Sequence, residues 1–199
     1  MKKIMGAAAI AAVFALAGCA GDPAPPAAPS VEPAKGTSSA EPSPSSDENK
    51  SPRGNLIKEL GEGASLTGED GVDLVRLSVN SIEIDPGCTQ EFATAPENGH
   101  FIVLDIAVET TPEMADDPFT VGSYYLGPGD MKVIAPNGTT SNANLGTAAA
   151  FMCLIDAELL PQSFGPAEKA IGKVVIDSEV PSGTLIIGAY GMDAWEYNF

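Results

Sequence analysis

The three cysteines are the residues of this 199-residue chain best suited to covalent chemistry, and the first lies in the most specific pattern. Cys19 follows Leu16-Ala17-Gly18, at the end of an apolar run that begins at Ile4 behind Lys2 and Lys3. Leu-Ala-Gly-Cys is typical of a bacterial lipobox, where a precursor is lipidated on the cysteine and cleaved just before it. The run is shorter than the about 20 residues that span a membrane, and its basic start marks a secretory signal. The sequence therefore predicts a signal peptide over residues 1–18 and a lipid anchor on Cys19. An ordinary cleaved signal that carries a cysteine by chance is the alternative.

Cys88 and Cys153 are the other two cysteines, 65 residues apart. Outside the cytosol an isolated pair in one domain most often forms a disulfide, and closing so long a loop stabilises by roughly 4 kcal/mol in the chain-entropy model. Redox or metal chemistry needs Cys-x-x-Cys or nearby His ligands, and the sequence has neither. In antibody domains a Trp between the two cysteines packs on the bridge, whereas the single Trp here is Trp195. We therefore expect a structural disulfide in a domain that is not of the antibody type.

Catalytic and metal-binding patterns are weak in the remaining residues. His100 is the only histidine, and a hydrolase would need it as the base for a serine on a strained turn, yet Gly-x-Ser-x-Gly is absent. Glu113, Asp116 and Asp117 cluster before Pro118 and could bind Ca²⁺, but they lack the spacing of a calcium loop. The sequence predicts no catalytic residue, no cofactor and no metal, although carboxylates paired in space are not visible from sequence.

Charge and composition divide the chain into three parts. Residues 19–55 comprise the lipidated cysteine and a linker rich in Pro, Ser and Ala, which cannot bury enough apolar surface to fold. Residues 56–199 form one domain, with five Lys and Arg against twenty-two Asp and Glu and a net charge of −17. Such a charge argues against nucleic acid as a partner and against a domain lying flat on anionic lipid.

Alternating apolar residues predict strands throughout this domain. The predicted segments are 73–84, 100–110, 119–126, 131–135, 170–177, 184–190 and 195–199, separated by turn signals. The alternation changes phase at Asn80-Ser81, which predicts a β-bulge. Apolar residues on both faces of 100–110 predict a central strand, while 147–155 fits helix or strand. The pattern predicts an all-β, immunoglobulin-like antiparallel β-sandwich.

Two of these strands also resemble a known family. Gly99–Thr110 and Lys173–Asp177, the latter followed by Pro181 and Leu185-Ile186, resemble strand motifs of the bacterial domain-of-unknown-function 4352 family. The family is similar in fold to the secreted mycobacterial immunoprotective antigen, an immunoglobulin-like β-sandwich. The resemblance implies this fold and an extracellular setting, and its motifs contain no catalytic residues. Together with the lipobox at Cys19, it leads us to expect an actinobacterial lipoprotein.

We therefore expect a lipid-anchored binding or interaction module on the outer face of the cell membrane. Its partners would be the membrane, through the lipid on Cys19, and an unknown protein or small molecule. A protein that binds a small ligand between its sheets is the second hypothesis, because four bulky residues could line a pocket (Phe151, Met152, Trp195 and Tyr197). A hydrolase is the third.

Overall fold

The computed structural model describes residues 49–188 and 194–199. The predicted signal peptide, Cys19 and residues 20–48 of the predicted linker lie outside these residues. Within them, no helix is long and apolar enough to cross a membrane.

Two four-stranded sheets form the domain, and short helices connect some of the strands. The first sheet has the order β1 (Leu56–Ile57), β10 (Ala194–Asn198), β9 (Thr184–Gly188) and β6 (Met131–Ile134). The second sheet has the order β2 (Gly63–Thr67), β3 (Asp73–Ile84), β4 (His100–Thr110) and β8 (Lys169–Ser178). A two-stranded ladder joins β5 (Tyr124–Tyr125) to β7 (Ser163–Phe164). The helices are α1 (Ala148–Phe151) and 3₁₀ turns at Pro112–Ala115, Pro128–Asp130 and Asp156–Glu158.

The main core lies between the two sheets, which confirms the predicted β-sandwich. Strands pair antiparallel within both sheets except for β1, which runs parallel to β10. Alternate residues of each strand face inward, as the period of two requires. The register of β3 against β4 shifts between Val79 and Ser81, and this confirms the predicted bulge. The largest fully buried side chains of this core include Trp195, Tyr197, Phe164, Ile102, Leu104, Ile106, Leu185 and Ile187.

A second, smaller core covers part of the outer face of the second sheet. Phe101 and Val103 of β4 point away from the sandwich and contact a layer that includes α1. Thr147 begins this helix by accepting a hydrogen bond from the backbone N–H of Ala150 at 3.1 Å. The ambiguous segment 147–155 is therefore mainly helix and turn. Apolar residues on both faces of β4 thus reflect two separate cores. We refer to α1 and the disulfide-linked loops beside it as the outer layer.

A buried carboxylate attaches the outer layer to the sheet. Asp177 of β8 is completely inaccessible to solvent. It accepts the backbone N–H groups of Glu97 and Asn98 at 2.7 and 3.0 Å, and the Thr147 hydroxyl at 2.7 Å. The side-chain amide of Asn98 in turn donates to the backbone carbonyl of Asp177 at 3.0 Å. One carboxylate therefore fixes both chain segments that lead into the outer layer.

The last residues of the predicted linker contact the first sheet. Glu196 of β10 accepts hydrogen bonds from Ser51 at 2.7 Å, from two Arg53 nitrogens at 2.8 and 2.6 Å, and from Asn55 at 2.8 Å. The composition of residues 49–55 suggested continued disorder, but polar residues can be ordered by a single buried carboxylate that pairs with all of them. Burial raises the pKa of Glu196, and the hydrogen bonds from Arg53, Ser51 and Asn55 outweigh it, so that the net pKa lies below the ordinary value. We call this arrangement the Glu196 clamp.

We predict that the Glu196→Gln substitution lowers the free energy of unfolding by about 1–3 kcal/mol at neutral pH, because charge-assisted hydrogen bonds to a buried carboxylate are lost. Since the folded pKa of Glu196 is lowered, its contribution is complete above the ordinary value of 4.5 and disappears as the pH falls through the folded value. The difference between the variant and the wild type should therefore shrink in acid. Urea denaturation at pH 7 and pH 3 measures it. Glu109→Gln, which removes an exposed ion pair from the other sheet, is the control and should change stability by less than about 1 kcal/mol. An equal effect of both substitutions at pH 7 would contradict the prediction.

Candidate functional site

The outer layer covers only half of the second sheet, and the other half carries an open groove of about 730 Å³. Its floor is a row of cross-strand neighbours that point outward: Gly63 of β2 beside Ser78 of β3, then Ala107 of β4 and Ile171 of β8. Three of these four residues have side chains no larger than a hydroxymethyl group. The groove exists because large side chains are missing from this row. We call it the outer channel.

A row of charged residues forms one wall of the outer channel. Arg76, Glu109 and Lys169 are cross-strand neighbours on β3, β4 and β8. Lys169 pairs with Glu109 at 2.9 Å, and Arg76 pairs with Asp73 at 3.0 Å. The hydrogen bond from Lys169 lowers the pKa of the Glu109 carboxyl, partial desolvation opposes the shift, and the charges of Lys169 and Arg76 add to it. The wall therefore presents alternating, mutually neutralising charges at neutral pH.

A second row of charged residues follows the floor of the channel on its other side, beyond the residues that line the groove. Asp105 of β4 and Lys173 of β8 are cross-strand neighbours in this row, two residues along each strand from Ala107 and Ile171. Asp105 accepts a hydrogen bond from the Asn80 amide at 2.8 Å, and Lys173 lies 3.6 Å from the Glu158 carboxylate. Three of the five Lys and Arg residues in 56–199, namely Arg76, Lys169 and Lys173, thus lie along one half-face of one sheet. This half-face therefore holds most of the cations of residues 56–199, and each of them lies beside a carboxylate of this chain.

No motif in the sequence predicted the outer channel. The one indication in the sequence was Ile171, an apolar residue at a position of β8 that faces outward. In the structure its side chain is 73% exposed. Ser78 and Ala107 gave no signal by themselves, because small residues at outward positions are common. Their significance depends on the cross-strand register, which places them side by side.

Cys88 and Cys153 form the predicted disulfide. The bond lies in the outer layer, in contact with the small core around Phe101 and Val103, and not between the two sheets. Trp195 belongs to the main core on the other side of the second sheet. The expected departure from the antibody pattern is thereby explained, because here the bridge holds a loop and a helix against the outside of the sandwich. No catalytic role follows from this position.

His100 is the first residue of β4, as expected for a residue at the start of a strand. Its Nδ1 lies 2.7 Å from a carboxylate oxygen of Asp85, and the other oxygen of Asp85 accepts the backbone N–H of Phe101 at 2.9 Å. Asp85 has a positive φ of 50°, so the pair holds a tight turn against the strand. Among the described residues, the hydrogen bonds of His100 include no serine hydroxyl. The geometry fits a role in fixing the turn.

The acidic residues before Pro118 line an open hollow together with Glu69 and Asp70. Asp117 accepts the backbone N–H groups of Phe119 and Thr120 at 3.0 and 2.8 Å. The hydrogen bond from Thr120 is the main cause that lowers the pKa of Asp117. No group of three or more His, Cys, Asp or Glu side chains suited to hold a metal occurs in the described residues. The hydrogen bonds of Asp117 shape its own loop.

The four residues expected to line an internal pocket do not lie together. Trp195 and Tyr197 are buried in the main core, whereas Phe151 and Met152 are each 47% exposed on the outer layer. Within the described part of the chain, Trp195 Nε1 and Tyr197 Oη are buried side-chain atoms that find no hydrogen-bond partner. Burial, with a smaller contribution from the charge of Glu62, raises the pKa of Tyr197 to about 12. The neutral phenol is thus the form present at physiological pH.

Comparisons with known proteins give one structural likeness. No protein-family model matches the chain, and no curated protein matches it. Among solved structures the chain is similar to MPT63, a secreted protein from Mycobacterium tuberculosis. The sequences are 15% identical, the match covers 73% of this chain and 98% of the other, and the TM-score is 0.42. The resemblance to the domain-of-unknown-function 4352 family stays a prediction.

We predict that Tyr197→Phe leaves the free energy of unfolding unchanged or raises it by about 1 kcal/mol. The hydroxyl is buried without a partner in the folded state, and its removal ends a desolvation cost while the ring still fills the core. Thermal and urea unfolding measure the effect. Trp195→Phe serves as the comparison and should destabilise by about 1–3 kcal/mol, because it removes buried apolar volume. A loss of more than about 1 kcal/mol on Tyr197→Phe would mean that the hydroxyl has a partner, as a ligand held between the sheets would provide.

Proposed function

We propose that this protein is a lipid-anchored binding module on the outer face of the cell membrane, and that it holds its partner in the outer channel. The observation that carries the proposal is the channel itself, an open groove on a bare sheet face with a floor of small residues and an exposed isoleucine at one end. Exposed apolar surface of this kind marks interaction sites on soluble domains. The lipobox at Cys19 supports the location.

The Glu196 clamp supports a geometric part of the proposal. Trp195 and Tyr197 face the main core, so Glu196 between them faces outward from the first sheet. Residues 51–55 are therefore attached to the outer surface of the first sheet, and the outer channel lies on the outer surface of the second. If the chain arrives from the membrane at Asn49, the outer channel lies on the face of the domain opposite to this attachment. The preceding linker, residues 20–48, would span roughly 30 Å as a flexible coil and roughly 90 Å as extended polyproline.

We predict that Cys19→Ser abolishes membrane attachment of the full-length protein. The serine cannot form the thioether to the lipid, and the acidic domain has no affinity of its own for anionic lipid. Membrane fractionation and metabolic labelling with a palmitate analogue measure the change. Expected results are a labelled, membrane-bound wild type and an unlabelled variant that is absent from the membrane fraction. Cys88→Ser with Cys153→Ser is the control and should keep the label. A Cys19→Ser protein that retains label would refute the anchor.

We predict that the partner can be cross-linked from the outer channel on intact cells. A photoreactive phenylalanine analogue at Ile171 should give a covalent adduct of higher mass. The same analogue at Lys132, an exposed position of β6 on the other sheet, should not. The added substitution Ala107→Arg fills the floor of the channel and should abolish the adduct from position 171. Mass spectrometry of the adduct identifies the partner. Equal adducts from both positions, or an adduct that survives Ala107→Arg, would locate the binding surface elsewhere.

A further inference from the structure

The dimensions of the outer channel restrict its ligand. It crosses the four strands of the second sheet at right angles, and three strand spacings give a length of about 14 Å. Glu109 and Asp105, in the charged rows on either side of the floor, are four residues apart along β4, so about 13 Å separates these rows. An extended polypeptide rises about 3.3 Å per residue, and four or five residues would span the floor.

The floor selects for apolar or small groups. Gly63, Ser78 and Ala107 offer backbone and methyl surface, with one hydroxyl. The Ser78 hydroxyl is already hydrogen-bonded to Asn80 at 3.1 Å. Ile171 at the end of the row is 73% exposed, and its side chain gains most from being covered. A ligand in this channel therefore has an apolar middle section.

Two lysines of β8 place positive charges on either side of Ile171, at the end of the channel. Lys169 and Lys173 precede and follow Ile171 by two residues, so all three side chains point outward along the same edge. The Lys169 side chain is 72% exposed and that of Lys173 is 35% exposed. Among the described residues, the ion pair of Lys169 is with Glu109 at 2.9 Å and that of Lys173 is with Glu158 at 3.6 Å. An ammonium group has three N–H donors, so each can also donate to a ligand carboxylate.

Charge then distinguishes between classes of ligand. A polyanion is repelled by Glu109, Asp105 and the overall charge of −17. A polycation is repelled by the three cations of the channel. An apolar segment with a single carboxylate, placed next to Ile171 between the two lysines, is complementary to the whole surface.

We infer that the outer channel binds an extended polypeptide segment of a partner protein, apolar in its middle and carrying a carboxylate that lies between Lys169 and Lys173. This inference rests on the proposed function and specifies its partner. The segment lies across the strands of the second sheet, over Ser78 and Ala107. The carboxylate is an Asp or Glu side chain or a chain terminus. It accepts hydrogen bonds from the ammonium groups of both lysines.

A phage-displayed library of random dodecapeptides tests the inference on the full-length protein purified in detergent. Selection on the wild type, with counter-selection on the Ala107→Arg variant, should enrich peptides in which apolar residues adjoin an Asp, a Glu or a free C-terminus. For a synthetic peptide of the enriched sequence, Lys169→Glu with Lys173→Glu should weaken binding by roughly 10-fold or more at low salt, and less at high salt. Lys132→Glu on the other sheet is the matched control and should leave binding unchanged.

Ile171→Asp provides a second variant that should not bind the peptide, because it removes the exposed apolar side chain and places a negative charge between the two lysines. This exposed position tolerates a polar residue without loss of the fold. Circular dichroism and the melting temperature confirm that each variant is folded. Enrichment of no sequence family, enrichment of basic peptides, or binding to the Ala107→Arg and Ile171→Asp variants as tight as to the wild type would overturn the inference. An adduct from position 171 on cells that contains a glycan or a lipid, without enriched peptides, would overturn the inference and leave the proposed function standing. The absence of both the adduct and the enriched peptides would refute both.

Discussion

The buried carboxylate of Asp177 determines which half of the second sheet's outer face is covered by the outer layer. A carboxylate without solvent contact is costly unless hydrogen bonds satisfy it, and here the partners are two backbone N–H groups and the hydroxyl that begins α1. These partners come from two different loops, and both must converge on one end of β8. The outer layer is therefore fixed over the Phe101 half of the sheet, while the Ala107 half stays bare. The outer channel is the part of the sheet that this arrangement leaves uncovered.

The two buried acids lie on opposite outer faces of the sandwich and act in the same way. Asp177 attaches the outer layer to the second sheet, and Glu196 attaches residues 51–55 to the first. In both cases one strand residue that points away from the main core holds irregular chain by its polar groups. The apolar core specifies the sandwich, and these two carboxylates specify what covers each of its faces. A domain with so many exposed acids thus uses two buried ones for specific attachment.

Periodicity was sufficient to predict the long strands β3, β4 and β8 and the bulge at Asn80, because each long strand buries at least one face against a core. The short strand β2 (Gly63–Thr67) was not predicted. Periodicity also showed that both faces of β4 are apolar, but it could not show that the second face meets a helix and a disulfide. The segment at Leu56–Ile57 is too short to have a period, so its parallel pairing with β10 was not predictable. The disulfide could be predicted because the domain has a single pair of cysteines and was expected to lie outside the cytosol. The outer channel did not, because it depends on which small residues become neighbours across strands.

The position of the Cys88–Cys153 bond separates the oxidation of the chain from the assembly of its sandwich. The bond links two segments of the outer layer, and none of the strand pairs of the two sheets requires it. If the chain is exported as proposed and emerges reduced, its main core can close before the disulfide forms. Oxidation would then fasten the outer layer over Phe101 and Val103. The bare half of the second sheet is accessible both before and after the bond has formed.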